Sequence, residues 1–436
     1  MHHIKCIYYK IRTKYRAHNI NKMDKEIIKE YIEKSNPWWT KEFNIPYYKE
    51  REIYKEIQRY LKSKQIVSIE GLRRVGKTTT MKKIIEDKIK EGFSKRNIFY
   101  FSFDDFAKIR ISEIIKVYEE IIDKKTLKEK FLFVFDEIQK VENWSEQIKR
   151  IYDENENIKF IVSGSESLFI KKKSRESLAG RIYSFVMKPL SFKEHLEFKG
   201  VRIENVWLQR EAIIKEFKKY LITNGFPEII NSEEDIAIKY INESIIEKIL
   251  YRDLNEVFNI KDPSVIKSLF DIIYNKPGQI IEIQEIAGEI GISRNLASEY
   301  LSYLEESYLI KKLYNYSNNA RKTQRKMKKY YSTLINPLLI KEKFSEVFEQ
   351  AIVINLSSEF FWRDAYQNEV DIIKTNPLQA IEIKSGDIKE RDLNSIKKFN
   401  KKFKPEKVYV LSYNTKKDHD EIKIIPFYEF LLKEKQ

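Results

Sequence analysis

A single cysteine, Cys6, leaves neither a disulfide framework nor a cysteine-based zinc site open to this chain. Histidine is almost as scarce: of five, His2, His3 and His18 lie near the start, and no pair has metal-ligand spacing. Glycine (11) and proline (10) are too few for long flexible linkers. No apolar run approaches the roughly 18 residues of a membrane-spanning helix, and the basic amino-terminal stretch lacks the apolar core of a signal peptide. These shortages lead to the expectation of a cytoplasmic protein, with no membrane partner, held together by packed cores.

Charge and apolar side chains are plentiful. With 42% hydrophobic residues in 436, the chain can build two or three cores. Lys+Arg 82 against Asp+Glu 66 leaves 82 − 66 = +16. That excess suits a polyanionic partner, nucleic acid first (DNA ahead of RNA) and an anionic lipid face only after it. A lysine-rich proteome would give the same number. Residues 1–23 carry six Lys/Arg and no acid, and a helical pattern begins at Met23. The tail reads either as a basic arm or as an upstream extension of a chain that starts functionally at Met23.

Between Gln65 and Leu190 five short apolar runs, QIVSIE, NIFYFSF, FLFVFDE, KFIVSGS and YSFVMKPL, alternate with helical patterns such as Thr78–Glu91 and Ile111–Ile122. Nearly continuous β-branched and aromatic runs belong to strands buried on both faces. Strand and helix in alternation predict a parallel sheet with helices on both sides.

After the first run comes Gly71-Leu72-Arg73-Arg74-Val75-Gly76-Lys77-Thr78, which fits G-x-x-x-x-G-K-[ST] between a strand and a helix. The two glycines let main-chain amides turn onto phosphate oxygens, and the helix adds its unsatisfied amides and positive end. Lys77 would reach the β- and γ-phosphates and Thr78 would ligate Mg2+. The run FLFVFDE brings Asp136 and Glu137 out at the carboxyl end of a strand, where open α/β sheets bind ligands. Asp136 suits Mg2+, Glu137 suits an attacking water, and the pair favours hydrolysis over transfer to a small acceptor. Ser163 or Ser165, after the next strand, is placed for the γ-phosphate or the water, and the sequence does not choose between them. Of Arg175 and Arg181, Arg181 is the candidate for a cation donated across a subunit boundary, which would require a homo-oligomer; it could also act within one chain.

Farther on, one helix (Ile283–Ile290), a turn at Gly291 and an N-cap at Ser293 precede a second helix with Leu296, Tyr300, Leu301 and Leu304 on one stripe. With the strand-like YLIKKLYNY behind it, this outlines a winged helix-turn-helix, although inert helical pairs share the shape. The run RKTQRKMKK, Arg321–Lys329, puts six basic residues in nine after that wing, as a solvated loop or a wing tip beside DNA would. In the last part, an amphipathic helix carries Glu346 and Glu349, one strand carries Asp371, and AIEIKS puts Glu382 and Lys384 on one face of the next. Glu349, Asp371, Glu382 and Lys384 have the layout of the restriction-endonuclease-like PD-(D/E)XK fold, whose chemistry uses carboxylates on Mg2+ and a lysine on water.

GLRRVGKTT, the strand endings DEIQ and SGS, and LAGR before a PLSF-E segment together resemble the prokaryotic AAA+/STAND-like ATPases common in archaea. NPWW at Asn36–Trp39 is similar to their amino-terminal signature, and NGFPEII (Asn224–Ile230) with the helix-turn-helix block looks like the helical region they carry. Many of them end in a nuclease-like domain that the last segment resembles. The resemblance implies ATP and Mg2+ as cofactors and a sheet of AAA+ order. Residue by residue it implies ATP binding by Gly71–Thr78, metal and water by Asp136 and Glu137, and a finger-like Arg181. Ser163 departs from a family preference for Thr but keeps the hydroxyl.

The expected architecture is α/β. Residues 1–35 form a basic extension and helix, 36–200 an AAA+-like P-loop sheet, 201–330 a helical region with the winged helix-turn-helix, and 331–436 the nuclease-like α/β domain. The expected function is a Mg2+-dependent P-loop ATPase acting on, or regulated by, nucleic acid. The rival is an ATP-dependent switch that binds protein partners and carries an inactive nuclease-like domain. A small-molecule kinase is disfavoured by the Asp136-Glu137 pair.

Overall fold

A computed structural model describes residues 22–106, 109–123, 129–164, 176–258, 260–319, 321, 323, 327–419 and 421–433. The run FLFVFD becomes strand β3 (Phe131–Asp136), buried at all six positions. It sits inside a five-stranded parallel sheet with β1 (Ile66–Glu70), β2 (Ile98–Ser102), β4 (Ile158–Gly164) and β5 (Ile182–Val186), in the order β2-β3-β4-β1-β5. All five expected runs therefore form strands, and the helices Lys77–Lys90 and Ile111–Ile122 fall where the periodicity put them. The sheet and its helices have the P-loop NTPase arrangement.

The core on one face is built from rings. Phe99 stacks on Tyr118 of helix Ile111–Ile122 with centroids 4.3 Å apart, and Phe133 and Phe135 meet Phe99 edge-on. Helix Lys22–Ser35 contributes Ile28 and Ile32 to the same core. NPWW closes the open edge of the sheet. Asn36 uses both ends of its amide on Tyr100, accepting from its N–H (2.7 Å) and donating to its C=O (2.9 Å). The indoles of Trp38 and Trp39 donate to the Ile98 carbonyl at 3.2 and 3.0 Å. Side chains thus satisfy edge groups that would otherwise be open to pairing with another strand.

The backbone divides into two compact units, Met1–Lys188 and Pro189–Gln436. The second contains a nine-stranded mixed sheet in the order β13-β14-β12-β11-β10-β9-β7-β8-β6. Its strands are β6 (Gln279–Ile280), β7 (Ile310–Asn315), β8 (Lys328–Ser332), β9 (Phe360–Arg363), β10 (Glu369–Thr375), β11 (Leu378–Lys384), β12 (Lys407–Ser412), β13 (Lys417–His419) and β14 (Ile422–Pro426). Helices Ile283–Ile290 and Arg294–Glu306 flank Gly291 (φ +78°), and the Ser293 hydroxyl accepts the Leu296 N–H at 3.2 Å. On the second helix Ala297, Tyr300, Leu301 and Leu304 are buried, whereas Leu296 is half-buried. The basic run Arg321–Lys329 leads into β8; Lys322, Gln324, Arg325 and Lys326 lie outside the described residues. Among the described residues no helix is long and apolar enough to cross a membrane.

His195, on helix Phe192–Phe198, has no exposed surface, and neither ring nitrogen makes a hydrogen bond. Burial pushes its imidazole down to about 4, outweighing the opposing pull of Glu216, whose Oε2 lies 3.7 Å away. An unfolded histidine titrates near 6.5, so between the two values the unfolded chain takes up the proton and the folded one does not. The resulting stability is complete above about pH 6.5 and is lost as the pH falls toward 4, by roughly 3 kcal/mol. Urea unfolding of the wild type and His195→Phe at pH 5 and pH 7.5 checks this. The substitution should flatten the pH dependence, and an unchanged slope would assign the acid sensitivity to other groups.

Candidate functional site

Strand β1 delivers the chain to Gly71 at φ +136°, where a Cβ would stand 2.1 Å from the Met187 carbonyl oxygen. No other residue fits there without moving main chain. Arg74 (φ +62°) and Gly76 (φ +101°) continue the curl, and helix Lys77–Lys90 begins at once, its first amides lacking intrahelical acceptors. Leu72 and Val75 are buried and fasten the loop from below, while Arg73 and Arg74 lie farther out. The buried Arg51 braces it from the side, donating to the Val75 carbonyl at 2.8 Å and the Lys188 carbonyl at 2.7 Å. That brace lies outside the motif, and nothing in the local pattern marks it.

Lys77 is 5% exposed and folds back over the loop, its Nζ donating to the carbonyls of Gly71 (2.9 Å) and Leu72 (2.8 Å). A buried ammonium therefore sits against the carbonyls of its own loop. Asp136, 3% exposed, gathers donors from two neighbouring strands, the helix and the residue that follows it. Its Oδ2 accepts the Thr78 hydroxyl at 2.6 Å and the Tyr100 hydroxyl at 3.0 Å. Its Oδ1 accepts the Ser163 hydroxyl and the Glu137 amide, the latter at 3.1 Å. Burial, with Asp136 next, pushes the Tyr100 phenol far above its ordinary range, so it stays a donor. Tyr100 was hidden in an apolar run, where its ring alone would explain it.

Glu137 follows at φ +53°, a conformation uncommon outside glycine, which turns it off the strand line; its Oε2 accepts the Gln139 amide at 2.6 Å. Thr78, Asp136, Ser163 and Tyr100 thus meet directly at the carboxyl end of the sheet, with Glu137 adjoining. Ser165 and Arg175 lie outside the described residues. Arg181 is elsewhere. Its carbonyl accepts the Ile66 amide at the start of β1, at the far end of that strand from the loop, and its guanidinium grips Asp153 at 2.8 and 3.1 Å. Loop amides, one ammonium, and a hydroxyl 2.6 Å from a carboxylate are a donor set that fits a metal-bound triphosphate.

The second unit gathers another charged cluster. Asp371 (β10) and Glu382 (β11) are buried, and Glu349 projects from helix Phe344–Asn355. Lys384 Nζ meets Glu382 Oε1 at 2.7 Å, as the alternation of β11 predicts, and Asp371 Oδ2 accepts the Ile383 amide at 2.8 Å. Four further residues join them. Lys329 Nζ lies 2.7 Å from both Glu349 Oε1 and Glu369 Oε1 and 3.8 Å from Asp371 Oδ1. The Tyr331 hydroxyl donates to Glu349 at 2.6 Å, and Arg363 reaches Glu369 at 3.2 Å. Alternation along KKYYS places Lys329 and Tyr331 on one face of β8, a signal masked by reading Arg321–Lys329 as a basic run. Glu346 is exposed and outside the cluster.

Residues 63–196 match a family described as an AAA domain. Most of that match lies in the first unit, which is therefore similar to AAA domains over that stretch. Two families described only as domains of unknown function match residues 214–333 and 345–430. The chain is 31% identical over 285 residues to an uncharacterized protein of Methanocaldococcus jannaschii, covering 63% of this chain and 62% of that protein. An uncharacterized protein of Haemophilus influenzae is 26% identical over 270 residues, covering 60% and 66% respectively. The matches thus span less than two thirds of either relative. Among solved structures, a replication initiator DnaA bound to AMPPCP and single-stranded DNA matches at 14% identity and TM-score 0.30, covering 58% of this chain and 86% of that one. PCH-2 of C. elegans matches at 12% identity and TM-score 0.24, covering 64% and 69%. Likenesses this loose carry no argument about the site.

Proposed function

We propose that the protein binds ATP with Mg2+ at Gly71–Thr78 and hydrolyses it, and that this turnover acts on, or answers to, nucleic acid. The convergence of Lys77, Thr78, Asp136 and Ser163 at one end of the sheet carries the proposal. Loop amides and Lys77 hold the β- and γ-phosphates, Thr78 and Asp136 hold the metal, Ser163 contacts the γ-phosphate side, and Glu137 orients the attacking water. The bound metal supplies charge neutralisation on the phosphates. In its own chain Arg181 is at the wrong end of β1 to reach them, so a finger role for it belongs to a neighbouring copy in a homo-oligomer.

The +16 charge supports a polyanionic partner. Phosphate release should rise with duplex or single-stranded DNA, and the apparent DNA affinity should fall by roughly 10³-fold between 50 and 200 mM salt, through released counterions. Turnover indifferent to DNA at every salt concentration would instead favour the switch that binds protein partners. One observation already supports that second reading: Lys329 sits among the carboxylates of the nuclease-like set.

A further inference from the structure

Strand β8 sends a lysine into a place in the second unit where carboxylates crowd together. Glu349, Glu369, Asp371 and Glu382 face Lys329, Lys384 and Arg363, four acids against three bases. Lys329 is 5% exposed, so its ammonium is largely withdrawn from water and depends on these partners for stabilisation. Gly278 marks how closely the chain packs here: a Cβ on it would come within 3.3 Å of both Glu349 Oε1 and the Lys329 side chain. Among the described residues no group of three or more His, Cys, Asp or Glu is arranged to hold a metal ion, and at this cluster an ammonium stands between the carboxylates. Yet the cluster has unused capacity, since Glu382 is 5% exposed and its Oε2 is buried without a hydrogen-bond partner.

We propose that Lys329 is the resident cation of this cluster, excluding a divalent ion from it, and that removing the ammonium converts the carboxylates into a divalent-cation site. The ammonium bridges two carboxylates from different elements and lies near a third, which is the task a bound metal would otherwise perform. The cluster ties β8 to β10 and helix Phe344–Asn355 electrostatically, and as folded it holds no hydrolytic metal. This deepens the second reading above and is independent of the phosphate loop.

The test titrates Mn2+ into the nucleotide-free full-length chain by calorimetry. For the wild type, Mn2+ uptake should be the same as for Glu382→Gln. Lys329→Met should take up one additional equivalent that the wild type lacks, and Lys329→Met/Glu382→Gln should lose it. Mn2+ should raise the melting temperature of Lys329→Met specifically. Lys329→Arg, which keeps the cation, should behave as the wild type. Wild-type uptake of one Mn2+ that Glu382→Gln abolishes would overturn the proposal, and that measurement stands even where Lys329→Met fails to fold. A folded Lys329→Met that ignores Mn2+ would overturn it equally. Phosphate release from the same preparations reports on the first unit, so failure of the ATPase reading is a separate result.

Discussion

Lys77→Ala is expected to leave a folded chain whose phosphate release from ATP falls by at least about 10³-fold. The ammonium is buried and donates inward, to the Gly71 and Leu72 carbonyls at 2.9 and 2.8 Å. The nearest alternatives are poorly placed: Arg51 is committed to the Val75 and Lys188 carbonyls, and Arg73 and Arg74 lie on the outer part of the loop. Two lost hydrogen bonds cost roughly 1 kcal/mol each, too little to unfold a unit whose sheet and helix bury Ile66, Val67, Ile69, Met81 and Ile84 completely. Thermal melting separates the two effects. Saturating ATP should stabilise the wild type, by about 2.7 kcal/mol at one hundred times Kd, and should leave Lys77→Ala unmoved. Phosphate release within about tenfold of the wild type would place hydrolysis somewhere other than this loop.

The parts of the fold that were legible are those where one local signal decides the outcome. Strands β1 to β4 are continuous apolar runs because both faces are covered, and such a run has few other solutions. Gly291 and Ser293 end one helix and start the next through φ and a hydroxyl, both readable at single positions. The phosphate loop is legible for the same reason, since Gly71 and Gly76 are backbone requirements. What stayed hidden depends on partners distant in sequence. The parallel pairing of Tyr314 with Phe360 joins β7 to β9 within the nine-stranded sheet, and no feature of either strand announces the other. Asn36 looked like a signature residue, yet its amide completes the edge of β2. Arg51, Tyr100 and Lys329 are a surface-type residue, a core-type residue and a member of a basic run by sequence. Each acquires its role from an acceptor that the fold brings to it.

Glu137→Gln is expected to separate binding from hydrolysis. Asp136 already accepts from Thr78, Ser163, Tyr100 and the Glu137 amide, so its carboxylate is bound up in holding the site together. Glu137 differs: it follows at a left-handed φ of +53°, its side chain makes none of the hydrogen bonds described to Asp136, and the Gln139 amide at 2.6 Å fixes one oxygen. A carboxylate positioned beside the proposed metal site is suited to accept a proton from water, a role worth about 10²–10⁴-fold. Glutamine preserves the shape and the strained backbone but not the basicity. ATP affinity measured by calorimetry should therefore stay within about threefold of the wild type, while turnover falls by at least about 10²-fold. Asp136→Asn provides the contrast, because it should weaken Mg2+-dependent ATP binding and turnover together. Turnover unchanged in Glu137→Gln would mean that another group activates the water, and a parallel loss of binding would place Glu137 among the groups that hold the nucleotide.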